Sequence, residues 1–312
     1  MDRLQCMTVF ARVVEAGSFT RAAERLDISN AAATRHVAYL ESILGVRLLN
    51  RSTRNLSLTH TGQAYYERCL QILADVEEAN AAAGESADVP RGVLRINGPV
   101  SFATRHVAPL LGEYSERHPQ VTLDVAISDR IVDIVEEGYD LAIRITRNPV
   151  PALIARRLAP ARMVLCAAPG YLERHGRPKT PADLERHACL NYSYLATGSA
   201  WRFTGPRGEE TVRIKGPIVA NNGDVLHAAL LQGVGIALQP SFIAWEDLRA
   251  GRLVALLPTH RPPVLDIYAM YASRRHLSAK VRTFIDFLVG RFGDPPYWDE
   301  WEAAPRKAAA KR

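Results

Sequence analysis

The chain has 312 residues, 47% of them apolar, a net charge of +6 and a pI near 9.2: room for two or three domains with real cores, and a balance that favours a polyanionic partner. No uncharged run reaches the roughly 18 residues of a membrane helix. Met1-Asp2-Arg3 leads into no unbroken apolar core of a signal peptide, and Cys6, Cys69, Cys166 and Cys189 form no CxxC, which sets aside zinc and thioredoxin-like sites and leaves reduced thiols in the cytoplasm as the expectation.

Charge is uneven along the chain. Residues 1–60 carry eight arginines and no lysine against five acids, a local +3. Leu4, Met7, Ala11 and Val14 recur at helical spacing until Gly17 stops a first helix. A second, "TRAAERL", runs from Thr20 to Leu26, with Thr20 as N-cap and Ala22-Ala23 small enough for another helix to come close. Asp27 and Ile28 make a turn, and Ser29 or Asn30 caps a third helix ending at Gly45. Ala33, Val37, Leu40 and Leu44 form its apolar stripe. The other face offers Asn30, Ala31, Thr34, Arg35 and His36, where plain solubility would favour Lys and Glu. Helix, tight turn and helix make a helix-turn-helix. "VRLLNRSTRNLSLTHTG" then alternates as two short strands around a polar tip carrying Arg51 and Arg54, a wing.

From residue 61 to 83 the pattern is helical. Tyr65, Cys69, Ile72, Val76, Ala79 and Ala83 repeat at four and three, a heptad seam on a helix roughly 35 Å long at 1.5 Å per residue. An ordinary amphipathic helix docked on its own chain fits the same spacing. Residues 84–92, "GESADVPRG", read as a linker. Strands and helices then alternate: "VLRIN", the helix "FATRHVAPLLGEYSERH", "VTLDVAIS", the helix "IVDIVEEG" and "YDLAIRI", a parallel α/β sheet. A second series opens with "RMVLCAA" and runs through "CLNYS", "WRFTG", "TVRIKG", the helix "DVLHAALLQ", "GIALQ" and a helix after Pro240. "LDIYAMY" and the helix "SAKVRTFIDFLVGRF" close the fold, and residues 293–312 read as a disordered tail.

"FARVVEAGSFTRAAERLDIS", "LESILGVRLLNRSTRNLSLTHTG" and "NNGDVLHAALLQGVGIALQP", in that order, resemble the LysR-type transcriptional regulators from Met1 to about Phe292, most specifically over residues 4–66. The resemblance implies a winged helix-turn-helix domain (1–60), a linker and dimerisation helix with its hinge (61–90) and a two-lobed α/β effector domain similar to periplasmic binding proteins (91–292). Lobe I would be about 91–160 plus 265–292, and lobe II about 161–264. It implies a homodimer, further assembled to a tetramer. Asn30 and His36 depart from the family, standing where Gln is common, so base preference should differ, and Leu49 stands where Phe is common, a change that should affect only packing.

Function follows from these placements as a set of expectations. The polar face of helix three enters the major groove of operator DNA: Asn30 can pair with adenine, Arg35 with guanine, the Ala31 methyl with thymine, and Thr34 with a base edge or phosphate. His36 is a weaker reader, and a solvated or phosphate-facing imidazole is as good a reading. Thr20 is placed with the DNA-contacting residues, and Arg51 and Arg54 with phosphates or the minor groove. In the effector domain Ser101, Ser128 and Asn222 sit at strand-to-helix junctions where ligands gather. The family implies a hydroxyl near Ser101 for an effector carboxylate, and Arg144 can pair with an anion or serve a structural ion pair. The expected effector is a small organic anion. No nucleophile elbow, metal-ligand spacing or phosphate loop is present, so neither catalysis nor a cofactor is expected. A thiol-based redox sensor using Cys166 and Cys189 is the alternative, and a small-molecule-binding protein or enzyme a weaker one.

Overall fold

The structure, a computed structural model, describes residues 1–51, 56–82, 89–130, 132–195, 197–272 and 277–302. Arg54, Ala83, residues 84–88 of the expected linker and residues 303–312 of the expected tail lie outside the described residues, and Arg51 and Ala79 are described by backbone alone. Two compact units emerge, Met1–Val89 and Pro90–Arg312.

The first unit runs α1 (Arg3–Ala16), α2 (Phe19–Arg25), α3 (Asn30–Leu44), β1 (Leu49–Arg51), β2 (Leu56–Leu58) and α4 (His60–Ala82). Asp2 caps α1 and Gly17, at φ 60, ends it. Ser18, not Thr20, caps α2, accepting from Arg21 N, so Thr20 falls inside the first turn. Ser29 caps α3 and Gly45 closes it at φ 66. Ala33, Val37 and Leu40 are sealed against Phe10 and Val13 of α1 and Ala22 and Ala23 of α2; Leu44, the last of the stripe, is 36% exposed. Glu41 reaches past the end of α3 and accepts from Leu48 N at 2.8 Å and Leu49 N at 3.1 Å, fastening the wing to the helix before it. Leu49 then pairs with Leu58 in an antiparallel ribbon. Where α4 begins, a side chain on Gly62 would stand 1.9 Å from the Leu48 carbonyl oxygen, so only glycine lets the helix cross that strand.

The heptad seam meets its own chain. Cys69 is fully buried with the α1 core, and Tyr65 and Ile72 pack on the same cluster, Tyr65 lying 6.0 Å from the Phe10 ring. The repeat marks the face by which α4 docks on α1, which takes fully buried Cys69 out of any intersubunit seam and leaves Tyr65 and Ile72 half-buried. Val76, one turn further on, is only partly buried.

The second unit begins with β3 (Gly92–Gly98). A helical stretch follows as α5 (Val100–Phe102), a π-type turn (Ala103–Val107) and α6 (Ala108–Arg117), then β4 (Val121–Ile127), β5 (Leu141–Thr146) and β6 (Leu153–Ala161). Next come β7 (Met163–Ala167), α7 (Pro169–His175), β8 (Cys189–Tyr192), β9 (Ala200–Gly205), β10 (Gly208–Arg213), β11 (Val219–Ala220), α8 (Gly223–Leu231), β12 (Ile236–Pro240), α9 (Ser241–Arg249) and β13 (Val254–Ala255). β14 (Leu265–Ala272) and α10 (Ala279–Phe292) return to the first lobe. The sheets are ordered β4-β3-β5-β14-β6 and β11-β8-β12-β7-β13. Both are mixed, not purely parallel: β14 runs antiparallel to β5 and β6, and β7 antiparallel to β12 and β13. "WRFTG" and "TVRIKG" form a separate β9–β10 hairpin.

Two expectations fail here for local reasons. Of "IVDIVEEG", the described residues Val132–Gly138 form turns instead of a helix: Asp133 Oδ1 accepts from Val135 N and Glu136 N at 2.9 and 3.0 Å, a side-chain turn that competes with helix propagation. The segment 293–302 is not a disordered tail. It ends in a short 3₁₀ helix, Tyr297–Glu302, whose Trp298 is fully buried. Trp298 lies 5.8 Å from Phe102 and 5.5 Å from Phe292, edge to face, and Asp299 pairs with Arg162 at 3.2 Å where the chain crosses between lobes.

The same cluster joins the lobes. Phe102 of lobe I meets Phe242 of α9 at 5.2 Å. His106 contacts the Phe242 carbonyl through Nε2 at 2.9 Å and Tyr297 Oη through Nδ1 at 2.6 Å. A carbonyl only accepts, so Nε2 carries the proton and Nδ1 accepts from the phenol. Burial, and after it the Arg105 charge against the opposing pull of the Phe242 carbonyl, lowers the His106 pKa to about 4.

Trp298→Ala should cost this unit about 3–5 kcal/mol in urea unfolding, the range for a large aromatic removed from a packed core. Because the folded His106 pKa lies below its unfolded value, its contribution is present above about pH 6.5 and is lost as pH falls toward 4. Urea midpoints of the wild type should drop across that window, and those of a His106→Phe variant should drop less.

Candidate functional site

In the first unit, α3 offers one continuous exposed surface. Asn30, Ala31 and Arg35 are exposed, and Thr34 is half-buried with its hydroxyl donating to Asn30 O at 3.0 Å. The surface continues through Ala38, Tyr39 and Ser42, all exposed; sequence reasoning missed these three, although 35, 38, 39 and 42 share one helical face. Arg21, Arg25 and Arg47 add exposed guanidiniums, and Thr20 is exposed beside Arg21. His36 does not belong to this surface. It is 9% exposed, and its Nδ1 lies 3.4 Å from Cys6 Sγ on α1. It sits at i, i+3, i+4, i+7 with Ala33, Val37 and Leu40, so the imidazole holds α3 to α1.

In the second unit the ends of β3 and β4 meet the start of α8. Ser101 is 6% exposed. Ser128 N donates to Gly98 O at 2.9 Å and its hydroxyl accepts from Arg130 N at 3.1 Å. Asn222 caps α8, accepting from Asp224 N at 3.0 Å and Val225 N at 3.3 Å, while its Nδ2 donates to Asp129 Oδ2 at 2.8 Å. Arg105 and Asp224 make a second tie between the lobes at 2.7 Å. A Cβ on Gly223 would lie 2.6 Å from Ile243 Cδ1, 3.6 Å from Ser101 Oγ and 3.8 Å from Gln239 Oε1. Ser101, Ser128 and Asn222 are thus brought together, with Asp129 and Gln239 as neighbours that no sequence motif marked.

Arg144 stands apart. It projects from the opposite sheet face to the Ile96–Ile143 core, beside Tyr139 and Glu137. Its Nη1 donates to Ile143 O at 2.9 Å, and burial lowers its pKa. None of its contacts reaches Ser101, Ser128 or Asn222. A separate cavity of about 1350 Å³, lined by Arg177, Ser241, Arg249, Leu257 and Arg261 among others, opens on the β13 side of lobe II and touches none of the three.

The two lobe II cysteines are on different strands and different faces. Cys166 pairs with Ala237 of β12, and Cys189 with its neighbour Ile236. Two strand spacings separate them, roughly 10 Å, beyond the ~7 Å that a disulfide spans. Burial pushes both thiols up to about 12. Among the described residues no group of three or more His, Cys, Asp or Glu could hold a metal ion, and no helix is long and apolar enough to cross a membrane.

Known proteins match along almost the whole chain. Residues 4–63 fit the model of the bacterial regulatory helix-turn-helix protein, lysR family, and residues 87–293 that of the LysR substrate binding domain. The chain belongs to the LysR family. It is 36% identical to the HTH-type transcriptional regulator DmlR of Escherichia coli over 93% of this chain and 95% of that one. It is 34% identical to CrgA of Neisseria meningitidis serogroup C, over 92% and 96%. Among solved structures, CrgA of Neisseria meningitidis, a LysR-type transcriptional regulator, superposes with a TM-score of 0.60 at 33% identity, covering 92% of this chain and 97% of that one. The full-length Vibrio cholerae virulence activator AphB gives 0.60 at 30%, over 93% and 99%. As a member of this family the chain is a DNA-binding transcriptional regulator with a substrate-binding domain. The family model ends at residue 293, so the Trp298 segment lies beyond it.

His36→Ala should lower the unfolding midpoint of the first unit while leaving operator sequence preference unchanged, because the imidazole faces Cys6. In the folded protein, Cys166 and Cys189 should resist maleimide labelling and form no mutual disulfide under peroxide; both should label once urea unfolds the chain.

Proposed function

We propose that the chain reads operator DNA through the exposed face of α3 and answers to a small organic anion held between the lobes of its second unit. The observation that carries the DNA half is α3 itself: Asn30, Ala31 and Arg35 stand in solvent on a helix whose other face is sealed into a three-helix core. Arg35 supplies a bidentate guanine reader, Asn30 an adenine reader, and Thr34 a hydroxyl that can still accept. Thr20, Arg21 and the wing arginines Arg51 and Arg54 hold phosphates and set register without reading sequence.

The chain acts as a homodimer, with tetramers as the higher assembly. Because Tyr65, Cys69 and Ile72 face inward, the intersubunit contact uses the remaining surface of α4, including exposed Leu70 and half-buried Val76. Two recognition helices related by a two-fold axis read a near-palindrome with half-sites a helical turn or a multiple apart.

For the effector, Ser101, Ser128 and Asn222 support an organic-anion reading, since hydroxyl and amide donors converge from both lobes. Closure on a ligand changes the lobe angle, and the oligomer passes that change to the DNA. The thiol alternative would have to use Cys166 and Cys189; the regulatory domain of AphB from Vibrio vulnificus has been solved after cumene hydroperoxide treatment and as a cysteine-to-serine variant, and neither structure speaks of the cysteines of this chain. The buried, opposite-facing Cys166 and Cys189 favour the anion.

Arg35→Ala should weaken operator binding by about 1–3 kcal/mol and relax preference at one base pair, measured by gel shift across a panel of single-base operator variants. Footprints should show dyad symmetry; an asymmetric footprint contradicts the two-fold reading. Ser101→Ala should abolish the effector's change in footprint while basal binding persists. A normal response in that variant places the effector elsewhere.

A further inference from the structure

The interlobe site already holds a carboxylate, and it is the chain's own. Asp129 follows Ser128 beyond the end of β4. Its Oδ1 accepts from Val100 N, the amide next to Ser101, at 3.0 Å. Its Oδ2 accepts from Asn222 Nδ2, on the opposite lobe, at 2.8 Å. One carboxylate thus takes a backbone donor from lobe I and a side-chain donor from lobe II. Gln239 is 1% exposed with its Oε1 unpartnered, and its Nε2 already donates to Gly223 O at 3.3 Å. Tyr192 feels the same charge: burial first, then Asp129, raises its pKa to about 12.

We propose that Asp129 is a built-in stand-in for the effector's carboxylate, clasping the lobes in the unliganded protein and yielding the Val100 and Asn222 donors only to a ligand that brings a carboxylate of its own. This rests on the interlobe anion reading above. Two carboxylates cannot share two donors, and their like charges repel, so Asp129 must leave when an anion enters. It is free to do so, because it is half-exposed and followed by exposed Arg130. A sugar hydroxyl accepts from these donors only as a neutral, single-atom acceptor, weaker than a carboxylate, and a protonated amine does not accept at all. The device therefore selects by chemical class: it costs every ligand the energy of opening the clasp and offers full charge-assisted replacement contacts to anionic oxygen acceptors, of which the carboxylate is the direct match. The Arg105–Asp224 pair, about one-third exposed on each side, remains as a screened tie that no ligand has to break.

The test uses full-length protein, wild type and Asp129→Ala, with Asp129→Asn as a nearly isosteric control that removes the charge. Acetate and benzoate serve as probes in calorimetric titrations. A ligand-competent state populated only about a tenth of the time weakens apparent affinity about tenfold, so Asp129→Ala should bind both probes about tenfold tighter than wild type, with Asp129→Asn between. Without ligand, deuterium uptake in the peptide spanning Val100 should quicken in Asp129→Ala, and probe should slow it again. Equal probe affinity in wild type and Asp129→Ala overturns the proposal, as does unchanged uptake at Val100. Quickened uptake with no binding of either probe to any of the three proteins supports the clasp and overturns the carboxylate-effector reading beneath it.

Discussion

A cleft between two sheets is useful only if something holds the sheets together elsewhere. Here that is the aromatic seam of Phe102, His106, Phe242, Phe292 and Trp298. Phe242 and Ile243 belong by sequence to lobe II, yet they pack in the lobe I core. Neutral His106 is stitched into this seam by hydrogen bonds on both ring nitrogens, so it fixes the π-type turn against α9 and the C-terminal 3₁₀ helix. With that side rigid, the polar side near Asn222 is where the lobes can respond to a ligand. Its ties there are a carboxylate–amide contact and a partly exposed ion pair, far weaker than a buried aromatic cluster.

The first unit solves a different problem. A recognition helix must keep its polar face rigid without burying it, so everything that holds α3 comes from behind or from its ends. Ala33, His36, Val37 and Leu40 dock it, Ser29 caps its start, and Glu41 ties its last turns to the wing. Glu41 thereby couples α3 to the wing: a shift of the wing strand would strip two backbone amides of their acceptor.

How much of this was legible in the sequence varied with the physics involved. Short-range periodicity carried α1 to α3, the wing and most strands. It also held the fate of His36, whose spacing from Ala33 and Leu40 puts it at the edge of the apolar stripe, although an imidazole is equally at home on a DNA-facing surface. The heptads of α4 marked an apolar face, but a repeat cannot say whether its partner lies on the same chain, and Phe10 does. "IVDIVEEG" had helical spacing, yet Asp133 could satisfy the local amides itself. The Ala- and Lys-rich end of the chain masks, in any composition taken over 293–312, the aromatic pair Tyr297 and Trp298 at its head. Ser101, Ser128 and Asn222 were read from strand-to-helix junctions. Asp129 could not be, since its meaning comes from a contact 93 residues away that exists only once the two sheets are facing.

Lobe I is assembled from two distant stretches. Its sheet needs β14, which inserts between β5 and β6, and its core needs Phe284, Leu288 and Trp298. During synthesis the α1–α4 unit has every residue it requires long before this happens. At a translation rate of about 5–20 residues per second, residues 92–161 then wait several seconds with a central strand position vacant, while the intervening lobe II emerges. β5 and β6 spend that interval as open edges, able to accept a strand from another nascent chain. The ribosome thus delivers a chain whose front has all the residues of its own core before the regulatory half exists, and whose most exposed moment comes just before its last strand arrives.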